Sequence, residues 1–175
     1  RKLFNIKKKL TFHSAAKMNQ LPKLWSLIKF MFDVLSNENK NCYVIAEAGL
    51  NHNGSLSLAK KLIDVAKDAG ANAVKFQKRT VKKLAVSEVL NAKDNRFPDF
   101  GETYKEIRDH LEFNLQEYRE LKKYTELKNM DFIVTAFDID AVDFLDELKV
   151  DVIKVASHSV TNTDLLEYLS LKKKL

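Results

Sequence analysis

Four short apolar runs, each followed by a stretch with helical spacing, set the narrowest limit on what this chain can fold into. The runs are Tyr43-Val44-Ile45-Ala46, Ala73-Val74-Lys75-Phe76-Gln77, Phe132-Ile133-Val134-Thr135 and Val152-Ile153-Lys154-Val155. After them, apolar residues recur at helical intervals over residues 56–69, 115–127, 141–148 and 164–171. The first of these helices carries Leu58, Leu62, Ile63, Val65, Ala66 and Ala69 on a broad face, with Gly70 as its C-cap. In the second, Leu115, Tyr118, Leu121 and Tyr124 recur every third residue. A longer excursion, running to about Phe113, precedes it. The order is (βα)4, and strands that are apolar throughout and joined by helices are expected to be parallel and covered on both sides.

Two α/β architectures fit that order: an open doubly wound sheet, or part of a (β/α)8 barrel of the TIM type. The phosphate-binding signature Gly-x-Gly-x-x-Gly does not occur, and the chain has only four glycines, which weighs against a dinucleotide-binding open sheet. A complete barrel takes about 250 residues. Residues 41–175 supply four βα units, so the expectation is the first half of a barrel over 41–175 preceded by an extension over 1–40.

That extension has a different texture. Residues 1–40 hold nine Lys and Arg against two Asp and Glu, whereas the remaining residues hold 21 against 22. The overall charge of +6 therefore belongs to the extension and gives no reason to expect a nucleic-acid partner for the main domain. Leu21, Leu24, Trp25, Ile28, Met31, Phe32 and Leu35 fall on one helical face. A helix with that stripe either rests on its own domain or meets a partner or a membrane surface. The run from Leu21 to Leu35 is interrupted by Lys23, Ser26, Lys29 and Asp33, too short and too charged to cross a bilayer. Cys42 is the one cysteine, which suits a reducing compartment, and the cytoplasm is the expected location.

In a barrel the site is built where strands end, so polar residues late in apolar strands are informative. Glu47 follows the first run, Lys75 and Gln77 lie on the second, Thr135 closes the third, and Lys154 and Ser157 belong to the fourth. Inward-facing ammonium groups among apolar strands would be desolvated without a partner unless they serve a ligand. Two lysines at one barrel mouth suit an anionic substrate, and the hydroxyls of Thr135 and Ser157 can add donors. Glu47 beside them would be ionised, a general base or a holder of sugar hydroxyls. Asn51, His52 and Asn53 lie in the first strand-to-helix loop. His52 has two readings: an acid, base or metal ligand, or a structural hydrogen-bonding residue.

At these residues the chain resembles a known family. Tyr43-Val44-Ile45-Ala46-Glu47-Ala48-Gly49-Leu50-Asn51-His52-Asn53-Gly54, then Ala59 to Asp64, Val74-Lys75-Phe76-Gln77-Lys78-Arg79-Thr80, Thr103-Tyr104, Arg108, Leu111-Glu112-Phe113 and Ile153-Lys154-Val155-Ala156-Ser157 are together similar to the opening of the sialic acid (N-acetylneuraminate) synthases. The resemblance implies a (β/α)8 barrel that condenses phosphoenolpyruvate with an N-acylated hexosamine such as N-acetylmannosamine, giving a nonulosonic (sialic) acid and phosphate without a covalent enzyme intermediate. It implies a divalent metal, manganese or magnesium, near the sugar aldehyde, and a homodimer as the whole enzyme. Carried over by motif, Glu47, Lys75 and Lys154 form the catalytic set. Thr135 and Ser157 join the lysines on phosphoenolpyruvate, while Gln77 and Phe137 lie near the amino sugar, with Asn51, His52 and Arg79 completing the substrate-binding set. Legionaminate, pseudaminate or 9-phosphate-forming synthases share this chemistry.

Three departures accompany the resemblance. Residues 1–40 do not match the family's short lead-in, and His158-Ser159 stands where many members have Gly-Glu. The metal-binding histidines and the C-terminal antifreeze-like domain of the family have no counterpart here. The polypeptide is thus expected to be a fragment that is inactive alone, with a non-catalytic binding module as the competing reading.

Overall fold

The computed structural model of the chain describes residues 42–172; the helix expected within 1–40 lies outside the described residues. The elements are β1 (Ile45–Gly49), α1 (Leu56–Asp68), β2 (Ala73–Lys78), a 3-10 turn (Val81–Lys83), α2 (Ser87–Leu90), α3 (Tyr104–His110), α4 (Leu115–Leu127), β3 (Asp131–Ala136), α5 (Ile139–Glu147), β4 (Val152–Val155), a second 3-10 turn (Ser157–Ser159) and α6 (Thr163–Leu171). Local chemistry explains most helix starts. Ser55, Asp138 and Asn162 accept backbone N–H groups at the starts of α1, α5 and α6. Thr103 with Glu106 and Asn114 with Glu117 form reciprocal capping boxes on α3 and α4.

The sheet is parallel with strand order β1-β2-β3-β4, and this order separates the two architectures. Parallel crossovers are right-handed, so strands added always in one direction carry every connecting helix to the same face. A doubly wound sheet must reverse direction to cover both faces. The unreversed order is that of a barrel wall. Accordingly one face of the strands, with Val74, Phe76, Phe132, Val134, Ala136 and Ile153, is buried against Ile63 of α1, Tyr118 and Leu121 of α4, Leu145 of α5, and Leu165 and Leu169 of α6 in a single cluster. A large side chain buried in this way contributes roughly 1.5–3 kcal/mol.

The expectation of strands covered on both sides holds for one face only. Ile45 and Val152, on the outer strands, are 43% and 40% exposed. The first strand also begins later than its apolar run. Asn72 Oδ1 accepts the Val44 N–H at 2.7 Å, and the Asn72 and Ala73 N–H groups both donate to the Val44 carbonyl. The ladder therefore opens at Ile45 opposite Ala73, and Glu47 lies inside β1, where the sequence run had placed it after the strand's end.

Candidate active site

Residues paired across a parallel sheet point to the same face, so register decides which side chains meet. Glu47 pairs with Lys75, Lys75 with Ile133 and Ile133 with Val152, making one row. Gln77, Thr135 and Lys154 make the next row toward the strand ends. Both rows lie on the face away from the helices. The two lysines, the carboxylate, the amide and the hydroxyl expected at the strand ends are thus brought to one surface, two residues deep.

Within the first row, Lys75 Nζ forms an ion pair with Glu47 Oε1. The pair is asymmetric: the Lys75 side chain is 7% exposed and that of Glu47 61%. A nearly buried ammonium is thus paired with a carboxylate that faces water, which leaves the carboxylate free to move when an anion arrives beside the lysine.

In the second row, Gln77 is held from both sides. Arg79 Nη2 donates to Gln77 Oε1, which orients the amide nitrogen toward β1. There Gly49 has φ +55, and a Cβ on it would stand 3.6 Å from Gln77 Nε2. Glycine adopts this left-handed backbone without the penalty of a side chain. Tyr118 Oη of α4 donates to the Gln77 carbonyl at 2.7 Å from the helix side. Burial, with the charge of Glu112 as a second cause, raises the Tyr118 pKa well above its ordinary value, so its hydroxyl stays a donor.

The Arg79 guanidinium lies over Phe137, 4.0 Å from the ring centroid, and that ring also neighbours His158, at 5.3 Å between centroids. Phe137, Arg79 and Gln77 are therefore contiguous. Lys154 is exposed, and Ser157 is exposed on the turn after β4.

The β1–α1 loop is placed otherwise. Asn51 is exposed. His52 is 2% exposed and packs on the helix-covered side, stacked on Phe113 at 4.2 Å and tilted to Phe76 at 6.1 Å. Its Nδ1 accepts the Gly54 N–H at 3.1 Å, and desolvation lowers its pKa to about 4. The ring is neutral, on the opposite face from Lys75. Gly54 (φ +73) fits under the end of α3, where a Cβ would come within 2.4 Å of the His110 carbonyl.

Sequence reasoning gave no role to Glu112, although Leu111-Glu112-Phe113 contributed to the resemblance. Glu112, its side chain 10% exposed, receives Lys78 Nζ at 2.9 Å and the Arg79 N–H at 3.2 Å. Burial raises its pKa, against the opposing pull of Lys78 and Arg79. The available signal was a carboxylate between two buried apolar residues, bracketed by two capping boxes. Asp138 was also missed. Besides capping α5 it accepts the Thr80 N–H and hydroxyl, both at 2.7 Å, and so joins the end of β2 to that of β3.

The divalent metal implied by the resemblance finds no ligand set among the described residues: no group of three or more His, Cys, Asp or Glu side chains converges there.

The NeuB family model matches residues 62–175, more than half of the chain. This chain belongs to the NeuB family. It is 39% identical over 131 residues to the human N-acetylneuraminate-9-phosphate synthase, covering 75% of this chain and 36% of that protein. It is 37% identical over 138 residues to the N,N'-diacetyllegionaminic acid synthase of Campylobacter jejuni, covering 78% and 41%. Among solved structures, N-acetylneuraminic acid (sialic acid) synthetase from Leptospira borgpetersenii, in complex with citrate, aligns with a TM-score of 0.56 and 36% identity over 74% of this chain and 41% of that one. A spore coat polysaccharide biosynthesis protein E from Chromobacterium violaceum, 23% identical with a TM-score of 0.61, shares the fold. The four βα units are thus part of the TIM-barrel-type fold of the sialic acid synthases, and the chain spans about two fifths of the length of these NeuB relatives. Among the described residues no helix is long and apolar enough to cross a membrane.

Proposed function

We propose that these residues form the phosphoenolpyruvate-binding part of a nonulosonic acid synthase, the whole protein condensing phosphoenolpyruvate with an N-acylated hexosamine and releasing phosphate. The observation that carries this reading is the pair of rows on the helix-free face, Glu47-Lys75 and Gln77-Thr135-Lys154. Phosphoenolpyruvate carries a phosphate and a carboxylate, and Lys75 and Lys154 supply a cation for each, with the hydroxyls of Thr135 and Ser157 as further donors. The arriving anion takes over Lys75, and Glu47 is released toward the sugar, where it accepts a proton from a sugar hydroxyl or from the water that adds to the former enol carbon before phosphate leaves. Gln77, fixed by Arg79 and flanked by Phe137, holds the acylated sugar against an apolar ring. Carbon–carbon bond formation here depends on placing two substrates and stabilising charge, so no protein nucleophile is required. The manganese or magnesium ion, the homodimer and the cytoplasmic setting belong to the same proposal.

Calorimetric titration of phosphoenolpyruvate into the chain tests it. Lys75→Ala and Lys154→Ala should each weaken binding by about tenfold or more, and unchanged binding in both would remove this surface from the reaction. The 175 residues alone should bind phosphoenolpyruvate without turning it over; metal-dependent phosphate release from them with N-acetylmannosamine would overturn that part. In a longer version bearing the rest of the barrel, comparing N-acetylmannosamine, its 6-phosphate and diacetylated analogues would decide the sugar.

A further inference from the structure

The carboxylate of Glu112 is placed where neither flanking helix needs it. Glu112 lies between Leu111, the C-cap of α3, and Asn114, whose capping box with Glu117 starts α4. Its side chain reaches back to the end of β2 instead. Oε2 accepts Lys78 Nζ at 2.9 Å and the Arg79 N–H at 3.2 Å, and Oε1 stands 3.7 Å from Arg79 Nη1. The three side chains are nearly shielded from water, at 10, 11 and 12% exposed for Glu112, Arg79 and Lys78. Lys78 is the last residue of β2 and pairs with Ala136, so the Arg79 N–H is the first beyond the ladder and needs an acceptor of its own. Strand alternation sends the two cations to opposite faces. Lys78 Nζ stands 4.8 Å from the Phe144 ring centroid on the helix side, while Arg79 shares the face of Gln77, to which its Nη2 donates. One carboxylate thus grips the end of the strand from both sides.

The direction of the Gln77 amide depends on that grip. A terminal amide has two nearly equivalent orientations, with oxygen and nitrogen exchanged. Arg79 has donors only, so it draws Oε1 to itself and leaves Nε2 toward Gly49. A long arginine loses rotamer freedom when it is held in one place, and its anchors here are the Phe137 ring at 4.0 Å and Glu112. A shielded group of ionised side chains is no more stabilising than apolar residues of the same volume, so packing alone does not account for a carboxylate at this position.

We propose that Glu112 is a positioning residue for the amino-sugar side of the site: it holds Arg79, and through Arg79 it sets which end of the Gln77 amide faces the sugar. This deepens the reading above and rests on it only for the identity of the ligand that Gln77 meets.

The test compares the full chain with Glu112→Met, with Lys78→Met, and with the double variant Glu112→Met/Lys78→Met, in which one cation leaves together with the anion. The first readout is the pair of Gln77 Nε2 proton signals in a proton–nitrogen NMR spectrum, identified by their loss in Gln77→Glu. Glu112→Met and the double variant should both move the pair toward the positions of a free glutamine, and Lys78→Met should leave it in place. Unmoved signals in Glu112→Met overturn the proposal. Signals that return to their wild-type positions in the double variant also overturn it, because Glu112 would then serve only to balance Lys78. Thermal melts identify the folded variants; where Glu112→Met does not fold, the charge-balanced double variant carries the test. The second readout is ligand binding, in which both Glu112 variants should bind N-acetylmannosamine about tenfold more weakly and phosphoenolpyruvate within about twofold of wild type. Equal loss of both ligands would mean general disorder of the site and would overturn the positioning role. If the signals move while neither the Glu112 variants nor Gln77→Glu alter N-acetylmannosamine binding, the hold on Gln77 stands and its assignment to the sugar falls.

Discussion

The two faces of the same four strands obey different rules. Val74, Phe76 and Val134 point to the helices and are fully buried, while their chain neighbours Lys75, Gln77 and Thr135 point the other way and carry charge, amide and hydroxyl. On the helix side each residue is fixed by volume, and a change there is felt as lost packing. On the other side residues are fixed by register, and a change there is felt in what the surface can bind. Alternation by one residue is enough to separate stability from chemistry.

Substitutions that respect or violate this division measure it. The largest effect is expected for Phe76→Ala, which removes a fully buried ring and should cost about 3–5 kcal/mol in urea unfolding; a loss below about 1 kcal/mol would mean that the helix side is not close-packed. Next comes a pH effect on the same side. His52 has a folded pKa of about 4 against an ordinary 6.5, so below pH 6.5 the unfolded chain binds the extra proton and stability falls as pH drops toward 4, by roughly 2 kcal/mol between pH 7 and pH 5. Comparing unfolding at pH 7 and pH 5 reads this, and His52→Gln should flatten the slope. Tyr118→Phe removes the buried hydroxyl bonded to the Gln77 carbonyl and should cost about 1–1.5 kcal/mol. It links the two faces, so a measurable loosening of ligand binding should accompany it. The smallest change in stability is expected for Lys154→Gln, an exposed position, within about 0.5 kcal/mol, even though ligand binding suffers. A clearly unstable Lys154→Gln would break the division.

Most of the barrel wall was legible because it rests on periodicity. Each of the four apolar runs marks a strand, although the first is offset from β1 (Ile45–Gly49), and the helix expected over 115–127 is α4 with the same bounds. α5 begins at Ile139 rather than 141, because Asp138 caps it and the two aspartates around Ile139 masked its start. The β2–α4 excursion was not resolved into elements, although Thr103-x-x-Glu106 and Asn114-x-x-Glu117 marked two helix starts. Lys75, Gln77, Thr135 and Lys154 could be found from the strands that carry them. Glu112 could not be given a role, because its partners Lys78 and Arg79 lie 34 and 33 residues away, across a connection without a regular period. His52 shows a different limit: a loop histidine beside glycine looks the same in sequence whether it faces a ligand or stacks on Phe113.

The strand order β1-β2-β3-β4 also has a kinetic meaning. Every strand pairs only with the strand before and after it in the chain, so the wall can grow in the direction of synthesis without waiting for distant partners. The three closures are unequal, however. The link from β2 to β3 contains α2, α3 and α4 and is roughly three times as long as that from β3 to β4, which adds about 1 kcal/mol to its closure entropy. Joining β2 to β3 is therefore the expected late event in assembly, and Asp138 reaching back to Thr80 and Tyr118 reaching Gln77 are the contacts that lock it once made.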